Sequence, residues 1–212
     1  MSNNCIIKPL NGSIGIYLHW NGGIDSVTAF LKYAELKGHR DFGGDKADGY
    51  GIARLSQIIG NYFGGTLSIG ITLVDENNTG DNYDNGIYVI DGWSIVERRT
   101  YRDFKDEFSE DYNLTEFLID IDKCQPESEQ LGEEFIRADE VPLNEVKIGD
   151  IVFFQILSET FIKVPVVGIH NGDPFVNVIG NYENDEDAWK NGNNLLYNNV
   201  RLYGNGKARV VR

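Results

Sequence analysis

The sequence is poor in cysteine, histidine and positive charge, and each shortage closes a class of function. Two cysteines, Cys5 and Cys124, make neither a disulfide framework nor a thiolate metal cluster, so a reduced, intracellular protein is expected. The three histidines, His19, His39 and His170, lie far apart, and none has a Cys, Asp or Glu at ligand spacing. Asp41, Asp45 and Asp48 read as a solvated loop, and residues 183–187 lack the central Gly of a calcium loop, so no metal is assigned. No apolar run approaches the ~18 residues of a membrane span. The first residues, M-S-N-N-C-I-I-K-P-L, lack the basic start and apolar core of a secretory signal. The expectation is a cytoplasmic protein without membrane contact.

Lysine and arginine total 19 against 33 aspartates and glutamates, a net charge of −14. That charge repels phosphate backbones and anionic membranes, which excludes direct nucleic-acid binding over a broad face. There is no G-x-S-x-G elbow and no cysteine with a histidine close in sequence. The carboxylates are too many for two to stand out as an acid–base pair. No catalytic residue and no cofactor is assigned, and the expectation leans to a non-enzymatic protein.

What the chain does have is the apolar content of a folded protein, 41% hydrophobic and 12% aromatic with five prolines. Glycine, at 24 of 212 residues, exceeds the usual ~7% and predicts many tight turns in a β-rich chain. Residues 5–9 and 14–18 flank Asn11-Gly12, which accepts positive φ, so an opening hairpin with a type I′ turn is predicted. Ile14, Ile16 and Leu18 alternate with Gly15, Tyr17 and His19, and then Val27, Phe30, Leu31 and Ala34 recur at helical spacing. Strand, glycine turn and helix thus follow without interruption. Asp25 or Ser26 is expected to cap the helix and Gly38 to stop it.

A second helix is predicted over residues 50–63, ended by Gly64-Gly65, and short helices over 102–108 and 114–123, the latter opened by Asn113 with Glu116 at the capping-box position. Leu67, Ile69, Ile71 and Leu73 alternate with Ser68, Gly70 and Thr72, a strand with one apolar face and one face of very small side chains. Residues 87–90 and 93–99 follow as antiparallel strands. The last third predicts strands near 151–157, 161–169, 175–179, 200–203 and 208–211, around a polar excursion at 181–199. The fold class is therefore α+β. An N-terminal antiparallel sheet with two or three helices occupies residues 1–125, an acidic linker 126–140, and a small β-rich, barrel-like unit 141–212.

Two stretches are candidates for function. His19, Asn21, Gly22, Gly23, Asp25 and Ser26 form a strand-to-helix turn in which backbone N–H groups and a helix N-terminus favour a small anion, although a plain structural turn uses the same residues. Residues 103–140 hold fourteen carboxylates against Lys105, Lys123 and Arg137. Within them Asp106, Glu107, Glu110, Asp111, Glu116 and Asp120, interleaved with Tyr101, Phe104, Phe108, Tyr112 and Phe117, form a candidate face for a basic partner. The same residues also suit a merely soluble face.

Two resemblances accompany these readings. Asn21-Gly22-Gly23-Ile24-Asp25-Ser26 resembles the S-G-G-x-D-S loop of the PP-loop ATP pyrophosphatases, with Asn21 in place of the first serine. The resemblance implies a nucleotide held by the loop's amides and hydroxyls. That family builds repeated βα units into a parallel sheet, whereas the hairpins downstream predict an antiparallel one. The segments Y-L-H-W-N-G-G (17–23), D-S-V (25–27), Y-G-I-A-R-L (50–55), I-G-N-Y-F-G-G (59–65) and D-N-G-I-Y (84–88) are similar to a group of bacteriophage and mobile-element proteins of low-GC Gram-positive bacteria. This resemblance implies a genomic setting and not a reaction. Together the observations point to an acidic phage or mobile-element accessory protein that binds a basic host protein, as a nucleic-acid mimic acting against host defence. The alternative is a nucleotide- or anion-binding protein, enzyme or sequestering module, using the glycine turn.

Overall fold

The computed structural model describes residues 3–39, 49–65, 68–75, 77–100, 108–156, 160–170, 173–176 and 207–211. The fold is α+β: among these residues it has four helices and two five-stranded sheets. The chain divides into two compact units, Met1–Gln130 and Leu131–Arg212.

In the first unit, β1 (Cys5–Pro9) and β2 (Ile14–Leu18) form the predicted hairpin with the predicted ends. Its turn differs from the expectation. The register Cys5↔Leu18 leaves residues 10–13 in the loop, Gly12 N donates to Pro9 O at 3.2 Å, and neither Asn11 nor Gly12 has positive φ. A loop of this length is built on an ordinary turn with negative φ, so the primed geometry is not needed. Next come α1 (Ile24–Leu36) and α2 (Gly49–Tyr62). Gly38 stops α1 as predicted: at φ 66° its N–H reaches Glu35 O at 2.9 Å while His39 N reaches Ala34 O at 3.2 Å, the paired bonds of a Schellman motif.

The remaining elements of this unit are β3 (Ile69–Leu73), β4 (Ile87–Asp91), β5 (Ser94–Arg99) and α3 (Leu114–Lys123). Asn113 caps α3 by accepting from Glu116 N at 3.3 Å. Strand order is β3-β2-β1-β4-β5. Neighbours pair antiparallel except β1 and β4, which run parallel with Ile6 beside Ile87 and Ile7 beside Tyr88. The parallel pair arises because residues 74–86 cross a face of the sheet instead of turning back as a hairpin. Val74 and Tyr83, at the ends of that crossing, pack with Tyr17 over Ile6, Ile87 and Val89. No helix contributes to this cluster; α1 and α2 pack on the opposite face, where Cys5, Ile7, Ile16, Leu18, Tyr88 and Ile90 are buried, and α3 packs on α1. Phe30 anchors the helices to one another through Tyr62 and Phe117, with ring centroids 5.3 and 6.2 Å away. Gln125 joins α2 to α3, donating to Ile58 O and Ile121 O and accepting from Asn61 Nδ2.

The second unit opens with α4 (Glu133–Arg137) and β6 (Asp139–Pro142), followed by β7 (Ile151–Ile156), β8 (Thr160–His170), β9 (Asp173–Val176) and β10 (Lys207–Val211). Its strands lie in the order β6-β10-β7-β8-β9 over a core of small branched residues, among them Val141, Val152, Val166 and Val210. Residues 126–140, expected as a linker, are instead a 3₁₀ turn (Glu127–Glu129), α4 and β6. Phe135 and Ile136 explain the difference: both are buried, and two apolar side chains in a charged run suffice to dock a single helical turn. Their carbonyl neighbourhood is tied down by Arg209, whose guanidinium donates to Ile136 O and Ala138 O. The predicted strand at 200–203 and the excursion at 181–199 lie outside the described residues, as does the predicted helix at 102–108 apart from Phe108.

The Tyr33 hydroxyl donates to Asp122 Oδ1 at 2.6 Å, and both residues are buried between α1 and α3. Burial raises the Tyr33 pKa well above its ordinary value, keeping the hydroxyl a donor. Tyr33→Phe keeps the ring and removes that donor from a buried carboxyl group, so it is expected to lower stability by about 1.5–3 kcal/mol. Urea unfolding of wild type and variant, followed by circular dichroism, measures the difference.

Candidate functional site

The glycine turn is built into the sheet from both sides. At its start the Tyr17 hydroxyl and His19 Nδ1 lie 3.0 Å apart, and the His19 and Trp20 rings meet edge to face at 4.7 Å. Asn21 takes a left-handed φ of 54°, which Asn tolerates better than most residues. Gly22 N donates to Asn3 O at 2.8 Å. A Cβ at Gly22 would lie 2.6 Å from Asn3 O and 2.8 Å from Cys5 N, so close backbone packing requires glycine here.

The cap expected at Asp25 or Ser26 is instead Gly23, with extended φ and ψ of −68° and 160° and no side-chain cap bond. Asp25 and Ser26 lie inside the first turn of α1. Asp25 is drawn elsewhere: its Oδ2 accepts from Ser109 N at 3.3 Å and from Ser109 Oγ, and its carbonyl accepts from the Tyr112 hydroxyl at 3.1 Å. Its Oδ1 is buried without a hydrogen bond, and Ser26 is buried. The Asp25 carboxylate thus adds a negative charge to the first turn of α1 while bonding to Ser109 and not to the amides of the turn. Burial and the nearby Asp25 charge push the Tyr112 pKa up to about 12, so this hydroxyl also remains a donor.

That clamp joins the glycine turn to the foot of the acidic stretch, across more than eighty residues of sequence. Glu110, Asp111, Glu116 and Asp120 are all exposed, Glu116 and Asp120 one helical turn apart on α3; Asp106 and Glu107 lie outside the described residues. Asp120 is 3.8 Å from Lys123. Phe108, 47% exposed, stacks on Tyr112 at 4.8 Å and 8°, whereas Phe117 turns into the aromatic cluster around Phe30. Tyr101 and Phe104 lie outside the described residues. The later carboxylates of the stretch belong to the second unit and meet cations: Glu133 pairs with Arg137 and Glu134 with Lys163, both at 2.7 Å, and Glu140 pairs with Lys207. Exposed carboxylates of the first unit also lie outside this stretch, at Asp75, Asp81, Asp91 and Glu97, and past α3 at Glu127. Cys124, at the end of α3, is exposed, while Cys5 is fully buried, which raises its thiol pKa.

Two of the cavities apart from both candidates lie in the first unit, and sequence reasoning identified neither. One, of about 610 Å³, opens beside the β1–β2 loop and is lined by Lys8, Ser13, Asp75 and Arg99 among others. Lys8 is 3% exposed and donates to Pro9 O and Leu10 O, while Arg99 pairs with Glu97 at 2.9 Å. Two cations with Asp75 and Glu97 leave no net charge to select an anion. The other, of about 220 Å³, is lined by Gly38, His39, Tyr50 and Arg54. Among the described residues no group of three or more His, Cys, Asp or Glu could hold a metal ion, and no helix is long and apolar enough to cross a membrane. No family model, curated protein or solved structure matches the chain.

The two glycines of the turn should respond differently to substitution. Gly22→Ala forces a methyl group into the β1 backbone and is expected to cost about 1–3 kcal/mol. Gly23→Ser, with open space around its Cβ, supplies the missing cap and should gain about a few tenths of a kcal/mol. Thermal unfolding of both variants measures the contrast. Burial, with the Lys37 and Arg54 charges, lowers the His39 pKa from 6.5 to about 4. The folded state thus holds a neutral imidazole that the unfolded chain protonates first. Its contribution is full above pH 6.5 and is lost as pH falls toward 4. The melting temperature of wild type should drop across that window more than that of His39→Gln.

Proposed function

We propose that the chain is a non-enzymatic binding protein, a phage or mobile-element accessory factor of the bacterial cytoplasm, whose acidic α3 surface engages a basic surface of a host protein. The observation that carries this reading is the exposure of Glu110, Asp111, Glu116 and Asp120, close in sequence to the Phe108–Tyr112 stack. Rows of carboxylates steer a positively charged partner into encounter, and a half-exposed aromatic ring supplies the apolar anchor that charge alone lacks. A basic channel shaped for a phosphate backbone is the kind of surface such a row imitates, which links the reading to interference with host defence. The anion-binding reading of the turn has less support, because Gly22 N is committed to Asn3 O and Asp25 sets a negative charge in the first turn of α1.

The test is capture from a bacterial lysate on immobilised protein at low salt, followed by titration of the purified captured protein. Neutralising the face with Glu110→Gln, Asp111→Asn, Glu116→Gln and Asp120→Asn is expected to weaken binding by at least about tenfold and to flatten its salt dependence. An affinity indifferent to both salt and neutralisation would remove the reading. A rise in melting temperature with ATP that Ser26→Ala abolishes would favour the turn instead.

A further inference from the structure

Strand β3 is an edge of the first sheet, and its register with β2 fixes which of its backbone groups are satisfied. His19 N donates to Ser68 O at 2.9 Å and Val74 N to Ser13 O at 2.7 Å. With Gly15 opposite Thr72 and Tyr17 opposite Gly70, the even-numbered residues from 68 to 74 direct N–H and C=O toward β2. By the alternation of an antiparallel ladder, Ile69, Ile71 and Leu73 direct theirs away from the sheet; among the described residues no strand pairs with them, and the neighbouring Thr72 hydroxyl reaches Leu73 O at 3.4 Å. Their side chains continue the row of Leu18, Ile16 and Ile14. Leu18 and Ile16 are buried, but Ile14 is 41% exposed, Ile71 60% and Leu73 79%. The helices thus leave an apolar strip uncovered along an open edge.

Among the described residues no charge, proline or bulge guards that edge. Soluble sheets protect their edges with charge, proline or a bulge, and the opposite edge, β5, carries Glu97, Arg98 and Arg99. Residues 68–74, S-I-G-I-T-L-V, contain no charge in a chain of net −14. Two copies of so acidic a protein repel each other over most of their surfaces, and this strip is where they can approach without opposing charges. The strip is also complementary to itself. Paired antiparallel about a two-fold axis through Ile71, it sets Ile71 against Ile71 and Ile69 against Leu73, so the outward N–H and C=O groups of all three residues bond reciprocally. On the apolar face Ile71 then abuts its counterpart and Leu73 abuts Ile69 of the other copy, and on the other face Gly70 and Thr72 are too small to obstruct the approach.

We propose that β3 is a dimer interface, at which two copies of this chain join their first-unit sheets edge to edge into one continuous sheet. The proposal is independent of the acidic face and carries the opposite salt dependence: screening weakens binding of a basic partner but strengthens association of two acidic copies. Sedimentation and light scattering over roughly 1–200 µM should show a concentration-dependent dimer that tightens with added salt. Ile71→Lys sets two ammonium groups against each other at the axis and should weaken association at least about tenfold, and Leu73→Lys should act in the same direction. Both residues are exposed, so the circular dichroism spectrum of each variant should match wild type; a variant that loses its spectrum is replaced by the other. A monomer at every concentration and salt, or a dimer that neither lysine disturbs, overturns the proposal and leaves the strip to a different occupant.

Discussion

Every residue of β1 is buried, and the first unit is arranged by the need to satisfy that strand on both edges and both faces. Its edges take β2 and β4; one face takes the helices, and the other takes the crossing that ends in Val74 and Tyr83. Even its one charged residue conforms. Lys8 folds its ammonium back onto the carbonyls of Pro9 and Leu10 at the mouth of the strand, which keeps a buried cation hydrogen-bonded. The glycine turn belongs to the same arrangement. Gly22 lies against Asn3, Asn4 and Cys5 because the chain must pass close by the start of β1 on its way to α1.

Charge is handled differently in the two units. The second unit pairs the carboxylates of α4 and β6 with Arg137, Lys163 and Lys207 and uses Arg209, nearly buried over the Phe135 ring, to bind the chain ends that surround it. The first unit leaves Glu110, Asp111, Glu116 and Asp120 facing solvent and turns Asp25 and Asp122 inward, each to a hydroxyl. A long acidic run in the sequence is therefore two physical objects. One contributes to packing and the other only to the field outside the molecule.

What could be read from the sequence is what local chemistry decides. The ends of the first hairpin, the stop at Gly38 and the cap at Asn113 follow from residues within a few positions of each other, and the structure has them. The parallel pairing of β1 with β4 was not legible, because it depends on residues about eighty positions apart. For the same reason nothing near Asp25 announced Ser109 and Tyr112, and a carboxylate two residues past a glycine reads as a cap until its true partner is seen. Residues 126–140 misled in another way. Their composition is that of a linker, and only the burial of Phe135 and Ile136 distinguishes a docked helical turn from a solvated run. For the candidate site, the residue types were visible, but whether the amide of Gly22 was free for a ligand was decided by Asn3.

The unequal burial of the two cysteines has a practical result. Cys5 is sealed within the central strand with its thiol held protonated, and Cys124 stands in solvent where α3 ends. A maleimide needs access to the thiol, which Cys124 gives and Cys5 denies, so the dye will attach at Cys124 without any engineered mutation. The native protein therefore carries its own fluorescent reporter position, at the end of the helix that bears the outward-facing negative charge.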